Sequence, residues 1–297
     1  MALRGVKAEV VKPGKPKFML SGKSGAGKTM FALNFPKPYL IDTEGGATRE
    51  QYTDKLIKVG GGYMGKDQGS QDFKNVIDEV KELATSKHDY RTLIIDSYTK
   101  LYNIAAAIAE ENPKIGSDFG RDKKEANKPS RQLLRWIDRI DMTVILICHT
   151  KDKWERRGAE VTCVGTTFDG FEKFEYDLDL WLEVQKVGQE RSFYVKKTRI
   201  DTLPEGSDYP LDYKIFSKHY GEAIVNGDVT PLVLASPDQV AKVRHLTELL
   251  KIEEEQIDKW MAKDEANSWE EMSAENMQKV ITFLEKKIKG DIKEVAA

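Results

Sequence analysis

Few folds are open to a chain in which Lys17-Phe18-Met19-Leu20 runs through Ser21 into Gly22-Lys23-Ser24-Gly25-Ala26-Gly27-Lys28-Thr29. The eight residues match G-x-x-x-x-G-K-[ST], a phosphate-binding loop that needs a buried strand before it and a helix after it. Gly22 and Gly27 let the backbone curl so that successive N–H groups face an anion, and a helix starting near Lys28 turns its positive dipole end toward the same point. Lys28 is placed to reach β- and γ-phosphates, and Thr29 puts a hydroxyl where Mg²⁺ would sit. The motif therefore predicts a nucleoside triphosphate site in an α/β core.

The rest of the chain agrees with such a core. Pro38-Tyr39-Leu40-Ile41-Asp42, Thr92-Leu93-Ile94-Ile95-Asp96 and Thr143-Val144-Ile145-Leu146-Ile147-Cys148 are continuous apolar runs, the pattern of strands covered on both faces. Helical stretches at about 71–85, 98–111 and 129–140 suit crossovers in a mostly parallel sheet. Residues 178–184 and 192–198, joined around Gly188, read as a hairpin extending that sheet. The Gly60-Gly61-Gly62 run with Gly65 and Gly69 reads as a flexible loop. A second module starts near Pro231: Ser236-Pro237-Asp238-Gln239 is a capping box, followed by apolar residues at helical spacing through Ile288. The predicted organisation is an N-terminal segment at 1–16, an ATPase-type α/β core at 17–230 and a three-helix module at 231–297.

At 297 residues the chain can hold one such core and a small appendage, and a net charge of −2 leaves any nucleic-acid affinity to local basic segments. No apolar stretch approaches the ~20 residues needed to cross a bilayer, and the N-terminus lacks the apolar centre of a signal peptide, so a cytoplasmic protein without a membrane partner is expected. Cys148, in a buried strand, and Cys163, in a loop, are too few and too scattered for a disulfide framework or zinc site, and two reduced thiols are expected.

Asp96 ends an apolar strand downstream of the loop, where a carboxylate can hold Mg²⁺ with Thr29. Ser97 either joins it or caps the next helix. Glu44, just past the second strand, could orient and deprotonate an attacking water, or could be a solvated loop carboxylate. Two segments mix cations with aromatic residues, as single-strand binding requires. One, from Asn112 to Ser130, carries Arg121, Lys123, Lys124 and Phe119; the other, from Thr150 to Tyr176, carries Lys151, Lys153, Trp154, Arg156 and Arg157. Acidic neighbours such as Asp118, Asp122 and Glu160 also fit a solvated surface. Thr150-Lys151-Asp152-Lys153 lacks the final aspartate of a guanine-reading motif, which favours ATP.

With Glu44 after the second strand and Ser97 beside Asp96, the order of features resembles the RecA superfamily of ATPases. That resemblance implies that His149, ending the next core strand in Ile147-Cys148-His149-Thr150, senses the γ-phosphate and starts a DNA-binding loop. It also implies that Lys197-Thr198-Arg199 matches a K-x-R pair reaching a neighbouring subunit's site. Over roughly residues 17–200 the combination resembles the phage-encoded Sak-four group of single-strand annealing or recombination ATPases. The implied protein is a Mg²⁺-dependent ATPase, assembled as a ring or filament, that binds single-stranded DNA and promotes annealing or strand exchange in an infected bacterial host. Its C-terminal module would contact DNA or a single-strand-binding protein. Two other readings stay open at this point: a helicase or translocase on the same core, and an ATP-switched binding module with negligible hydrolysis. A small-molecule kinase fits less well, since no arginine-rich lid is evident.

Overall fold

The computed structural model describes residues 14–112, 121–158 and 160–295. The expected N-terminal segment therefore lies outside the described residues except for its last three positions. Strands β1 (Lys17–Gly22), β2 (Pro38–Asp42), β3 (Gly62–Met64), β4 (Thr92–Asp96) and β5 (Thr143–Cys148) are parallel. A ribbon of β6 (Thr150–Arg157) and β7 (Glu160–Phe168) follows, separate from the main sheet. Then β8 (Leu180–Val187) pairs in parallel with β1, and β9 (Glu190–Thr198) and β10 (Asp208–Pro210) add antiparallel strands at the edge. The eight-stranded order is β10-β9-β8-β1-β5-β4-β2-β3, so the fold is α/β with a mostly parallel sheet, as expected.

Burial explains the strand assignments. Met19, Leu20, Ile41, Ile94, Ile95, Val144 and Ile145 are fully buried, because a central strand has protein on both of its faces. One face carries an aromatic cluster: Phe18, Phe31, Phe35, Phe193 and Phe216 pack together, with Phe18 and Phe216 centroids 5.2 Å apart. Each such side chain contributes about 1.5–3 kcal/mol on leaving water, and the cluster seats helix α1 (Lys28–Ala32) against the strand that precedes it.

Several local expectations are corrected. Helix α2 (Glu50–Val59) ends at Gly60 with φ 66°, and the presumed flexible glycine loop contains strand β3 and a 3₁₀ turn at Lys66–Gln68. Gly61 and Gly62 serve close packing there: a Cβ would come within 2.7 Å of Leu56 and 2.5 Å of Tyr90. Helices α3 (Phe73–Thr85) and α4 (Tyr98–Glu111) match their expected positions. Helix α5 (Arg121–Arg139) begins well before Pro129, so Arg121, Lys123 and Lys124 lie on a helix and not on a loop. Lys123-Lys124-Glu125-Ala126 are strong helix formers, and the helix continues through Pro129 despite the lost backbone bond and the ring's crowding of the carbonyl four residues before it. The segment Thr150–Phe168, also expected as a loop, is the β6–β7 ribbon, and Cys163 lies on β7. Helices α6 (Phe174–Asp177), α7 (Tyr213–Tyr220) and α8 (Glu222–Val225) complete this part of the chain.

The chain divides into two compact units. The first holds the sheet and ribbon, and the second gathers Lys74–His88, Lys128–Ile140 and Thr230–Ala297. In the second unit α9 (Pro237–Leu249) opens with the expected capping box, Ser236 Oγ accepting from Gln239 N–H at 3.2 Å and Gln239 Oε1 from Ser236 N–H at 3.1 Å. Helices α10 (Glu254–Lys263) and α11 (Ala274–Val295) follow, and Val243, Leu246, Trp269, Met277, Ile281 and Leu284 form a core.

Candidate nucleotide-binding site

Parallel register aligns the carboxyl ends of four strands. Asp42 lies opposite Asp96, Asp96 opposite Ile147, and Ser21 opposite Cys148. The chain leaves β1 toward β2 on one side, and later enters β8 on the other, which makes the β1 end a point where connections diverge. Crevices form at such points because the two departing loops leave a gap between them. Here the gap is a cavity of about 690 Å³. Its lining includes Gly22, Lys23, Ser24, Gly25, Lys28 and Thr29 from the phosphate loop, and Glu44, Asp96 and His149 from neighbouring strand ends.

The loop has the backbone that its glycines permit. Gly22 sits at φ 150°, where a Cβ would meet Val184 O at 2.6 Å, and Gly27 sits at φ 109° immediately before α1. Ala26 is buried beneath the loop. Lys28 Nζ donates to Gly22 O at 2.7 Å and Lys23 O at 3.0 Å. Burial pulls its pKa below the usual lysine range, while Asp96 and Glu44 oppose that shift. Thr29 Oγ1 donates to Asp96 Oδ2 at 2.6 Å. Burial pushes the Asp96 carboxyl up to about 6, helped by the nearby negative charges of Glu44 and Asp42 and opposed by the Thr29 bond and Lys28.

This donor set fits a magnesium nucleotide. A hydroxyl and a carboxylate are hard oxygen donors, and a buried carboxylate with a raised pKa gains most from a cation beside it. Among the described residues no group of three His, Cys, Asp or Glu could hold a metal alone. A Mg²⁺ ion held by Thr29 and Asp96 would need phosphate and water oxygens to complete its shell, as Mg²⁺ in nucleotide sites does.

Glu44 is held in place by residues from three strand ends. Asp42, 3% exposed, accepts from the N–H groups of Glu44 at 3.0 Å, Gly45 at 2.9 Å and Ala47 at 2.7 Å, so its carboxylate fixes the turn that carries Glu44. Thr43 ties β2 to β4: its N–H donates to Asp96 O at 2.8 Å, and its hydroxyl accepts from Ser97 N–H at 2.9 Å. Ser97 Oγ donates to Glu44 Oε1 at 2.7 Å and also caps α4 by accepting from Lys100 N–H at 3.3 Å, so both roles considered for it are present. His149 Nε2 lies 2.8 Å from the same Glu44 oxygen. Glu44 is thus oriented by a serine and a histidine and faces the cavity, the geometry required to position a water.

Sequence reasoning overlooked the role of Asp42, whose signal was local: an aspartate ending a strand before Gly45-Gly46, with its carboxylate taking amides two, three and five residues on. It also overlooked Arg49 and Tyr52, which line the same cavity and lie three positions apart at the start of α2. Lys197 and Arg199 lie elsewhere. Lys197 donates to Leu178 O, and Arg199 donates to Asp177 O at 3.0 Å and to Tyr176 O, so within one chain they hold the end of α6. Lys151, Lys153, Trp154 and Arg156 are exposed on β6, with Trp154 60% exposed. Arg157 ends that strand, and its side chain is outside the described residues. Arg121, Lys123 and Lys124 are exposed at the start of α5, while Phe119 is outside the described residues. Cys148 and Cys163 are both free thiols.

A family model for the AAA domain matches residues 14–203, which span the phosphate loop, Glu44, Asp96, His149 and the β8–β9 hairpin. The chain belongs to the AAA domain family. At the general level this makes it a P-loop nucleoside triphosphatase. Among solved structures, the crystal structure of the RadB recombinase is similar over 65% of this chain and 84% of that one, at 18% identity and a TM-score of 0.40. No protein of curated function matches the chain. No helix among the described residues is long and apolar enough to cross a membrane.

Proposed function

We propose that this member of the AAA domain family is a Mg²⁺-dependent ATPase that binds single-stranded DNA and promotes annealing or strand exchange. The observation that carries the reading is His149. Its side chain touches Glu44 at 2.8 Å, and the next residue, Thr150, begins the exposed ribbon bearing Lys151, Lys153, Trp154 and Arg156. One residue therefore stands between the carboxylate suited to hydrolysis and a surface suited to a nucleic acid, in which cations meet phosphates and an aromatic ring can stack on a base.

In this reading Lys28 and the amides of Gly22–Thr29 hold the phosphates, and Thr29 and Asp96 hold Mg²⁺. Bound Mg²⁺ supplies charge neutralisation on the phosphate oxygens. Glu44 orients the attacking water and accepts its proton, and His149 reports the state of the site to the ribbon. Lys197 and Arg199 act on the neighbouring subunit's site in a ring or filament. Arg121, Lys123 and Lys124 give a second DNA-facing surface. The 231–297 module recruits DNA or a single-strand-binding protein, and the host setting is the cytoplasm of a phage-infected bacterium, as the resemblance to the Sak-four group implies.

The test is ATP turnover with and without single-stranded DNA, using Glu44→Gln as the control. Stimulation by DNA that disappears in the variant is the expected result. Turnover indifferent to DNA would remove the nucleic-acid part of the proposal, and turnover unchanged in Glu44→Gln would remove Glu44 as the base. Annealing of complementary strands, in place of directional unwinding, then separates the proposed activity from a helicase.

A further inference from the structure

We infer that Asp169 and Thr99 are positioning residues that transmit occupancy of the β6–β7 ribbon to Glu44, an inference that rests on the DNA reading above. Asp169 follows the last residue of the ribbon and His149 precedes its first, so these two residues are its root. They are bonded to each other, Asp169 N–H donating to His149 O at 2.8 Å. Both are bonded to one hydroxyl on α4: Thr99 Oγ1 accepts from His149 N–H at 2.9 Å and donates to Asp169 O at 2.5 Å. Thr99 is 3% exposed, so the hydroxyl end of both bonds is buried.

The Asp169 carboxylate faces outward from this knot. Lys151 Nζ donates to its Oδ1 at 2.9 Å, and Asn103, one helical turn beyond Thr99, donates to its Oδ2 at 3.1 Å. Lys151 is half-exposed at the second position of β6 and belongs to the proposed DNA-binding set. A DNA phosphate taking the Lys151 ammonium removes that cation from Asp169 and leaves its carboxylate the Asn103 hydrogen bond and the field of His149. The root of the ribbon then rebalances against α4. Two residues before Thr99, Ser97 donates to Glu44 Oε1, and His149 Nε2 lies within 2.8 Å of the same oxygen. The chain of direct contacts from Lys151 to Glu44 is therefore short and contiguous, the condition for energetic coupling between two sites.

A staple that merely holds the fold together would carry the same bonds, so the test must separate coupling from stability. ATP turnover is measured across a titration of oligo-dT in wild type, Asp169→Asn and Thr99→Val, with Thr99→Ser as the variant that restores the hydroxyl. Oligo-dT binding is followed in parallel by fluorescence anisotropy. The expected result is DNA-free turnover within about twofold of wild type, retained oligo-dT binding, and a stimulation ratio reduced about tenfold, a usual size for coupling between sites. Thr99→Ser should recover the ratio. Wild-type stimulation ratios in both Asp169→Asn and Thr99→Val would overturn the inference and leave the DNA reading intact. Loss of DNA-free turnover in both variants would also overturn it, since the role would then be structural. A wild-type enzyme that ignores oligo-dT would overturn the DNA reading, and this inference with it.

Discussion

Asp96→Asn removes a charge from a carboxylate that burial holds well above its ordinary pKa, while keeping an oxygen to accept from Thr29. Asp96 titrates near 6 in the folded chain against an ordinary 3.8. A raised value means that the folded state holds the proton more strongly than the unfolded state. The stability this group contributes is therefore complete below about pH 4 and is lost as pH rises through about 6. At about 1.36 kcal/mol per pH unit, the gap amounts to about 3 kcal/mol. The nucleotide-free Asp96→Asn protein should accordingly be up to about 3 kcal/mol more stable than wild type at pH 7.5. That advantage should shrink toward zero as pH falls from 7 to 4. Urea unfolding of both proteins at several pH values measures the difference, and shared titrations cancel. With Mg²⁺ and ATP added, wild type should gain stability by mass action while the variant gains much less. A stability difference that is flat from pH 4 to 8 would refute the account of Asp96 as a carboxylate charged at a cost and compensated by its ligand.

Three further outcomes follow from the geometry. Glu44→Gln should keep ATP affinity within a few-fold and slow turnover by roughly 10²–10⁴, the usual worth of a positioned base, checked by single-turnover hydrolysis. Asp42→Ala leaves the N–H groups of Glu44, Gly45 and Ala47 without their acceptor, and should cost roughly 3 kcal/mol or more in denaturant unfolding as well as most of the turnover. Lys28→Ala and Arg199→Ala proteins, each inactive alone, should regain turnover when mixed if Arg199 serves a neighbour's site; a mixture as inactive as its parts would place its role within the α6 contacts of its own chain.

What the sequence alone determined is what neighbours along the chain can determine. The phosphate loop was legible because its function needs eight consecutive residues, three of them glycines at backbone angles that other residues rarely adopt. Strands β1, β2, β4 and β5 were legible because strands covered on both faces must be apolar throughout, and α9 announced itself through a capping box whose partners are three residues apart. The β6–β7 ribbon was not legible: exposed on both faces, it has no reason to alternate polar and apolar residues, so its charged stretch read as a loop. The start of α5 was hidden by a proline that helix-forming neighbours outweigh.

Tertiary structure decided the rest, because it depends on register between distant strands. Pairing of Asp42 with Asp96, and of Asp96 with Ile147, brings Glu44, Ser97 and His149 to one carboxylate oxygen although more than fifty residues separate Ser97 from each of the other two. Asp42 reads in the sequence as the end of a strand. Its carboxylate accepts from amides only two, three and five residues on, a local Asx-type turn. What folding alone adds is the pair of distant side chains, Ser97 and His149, that meet the Glu44 this turn carries, because their approach depends on strand register and not on spacing in the chain.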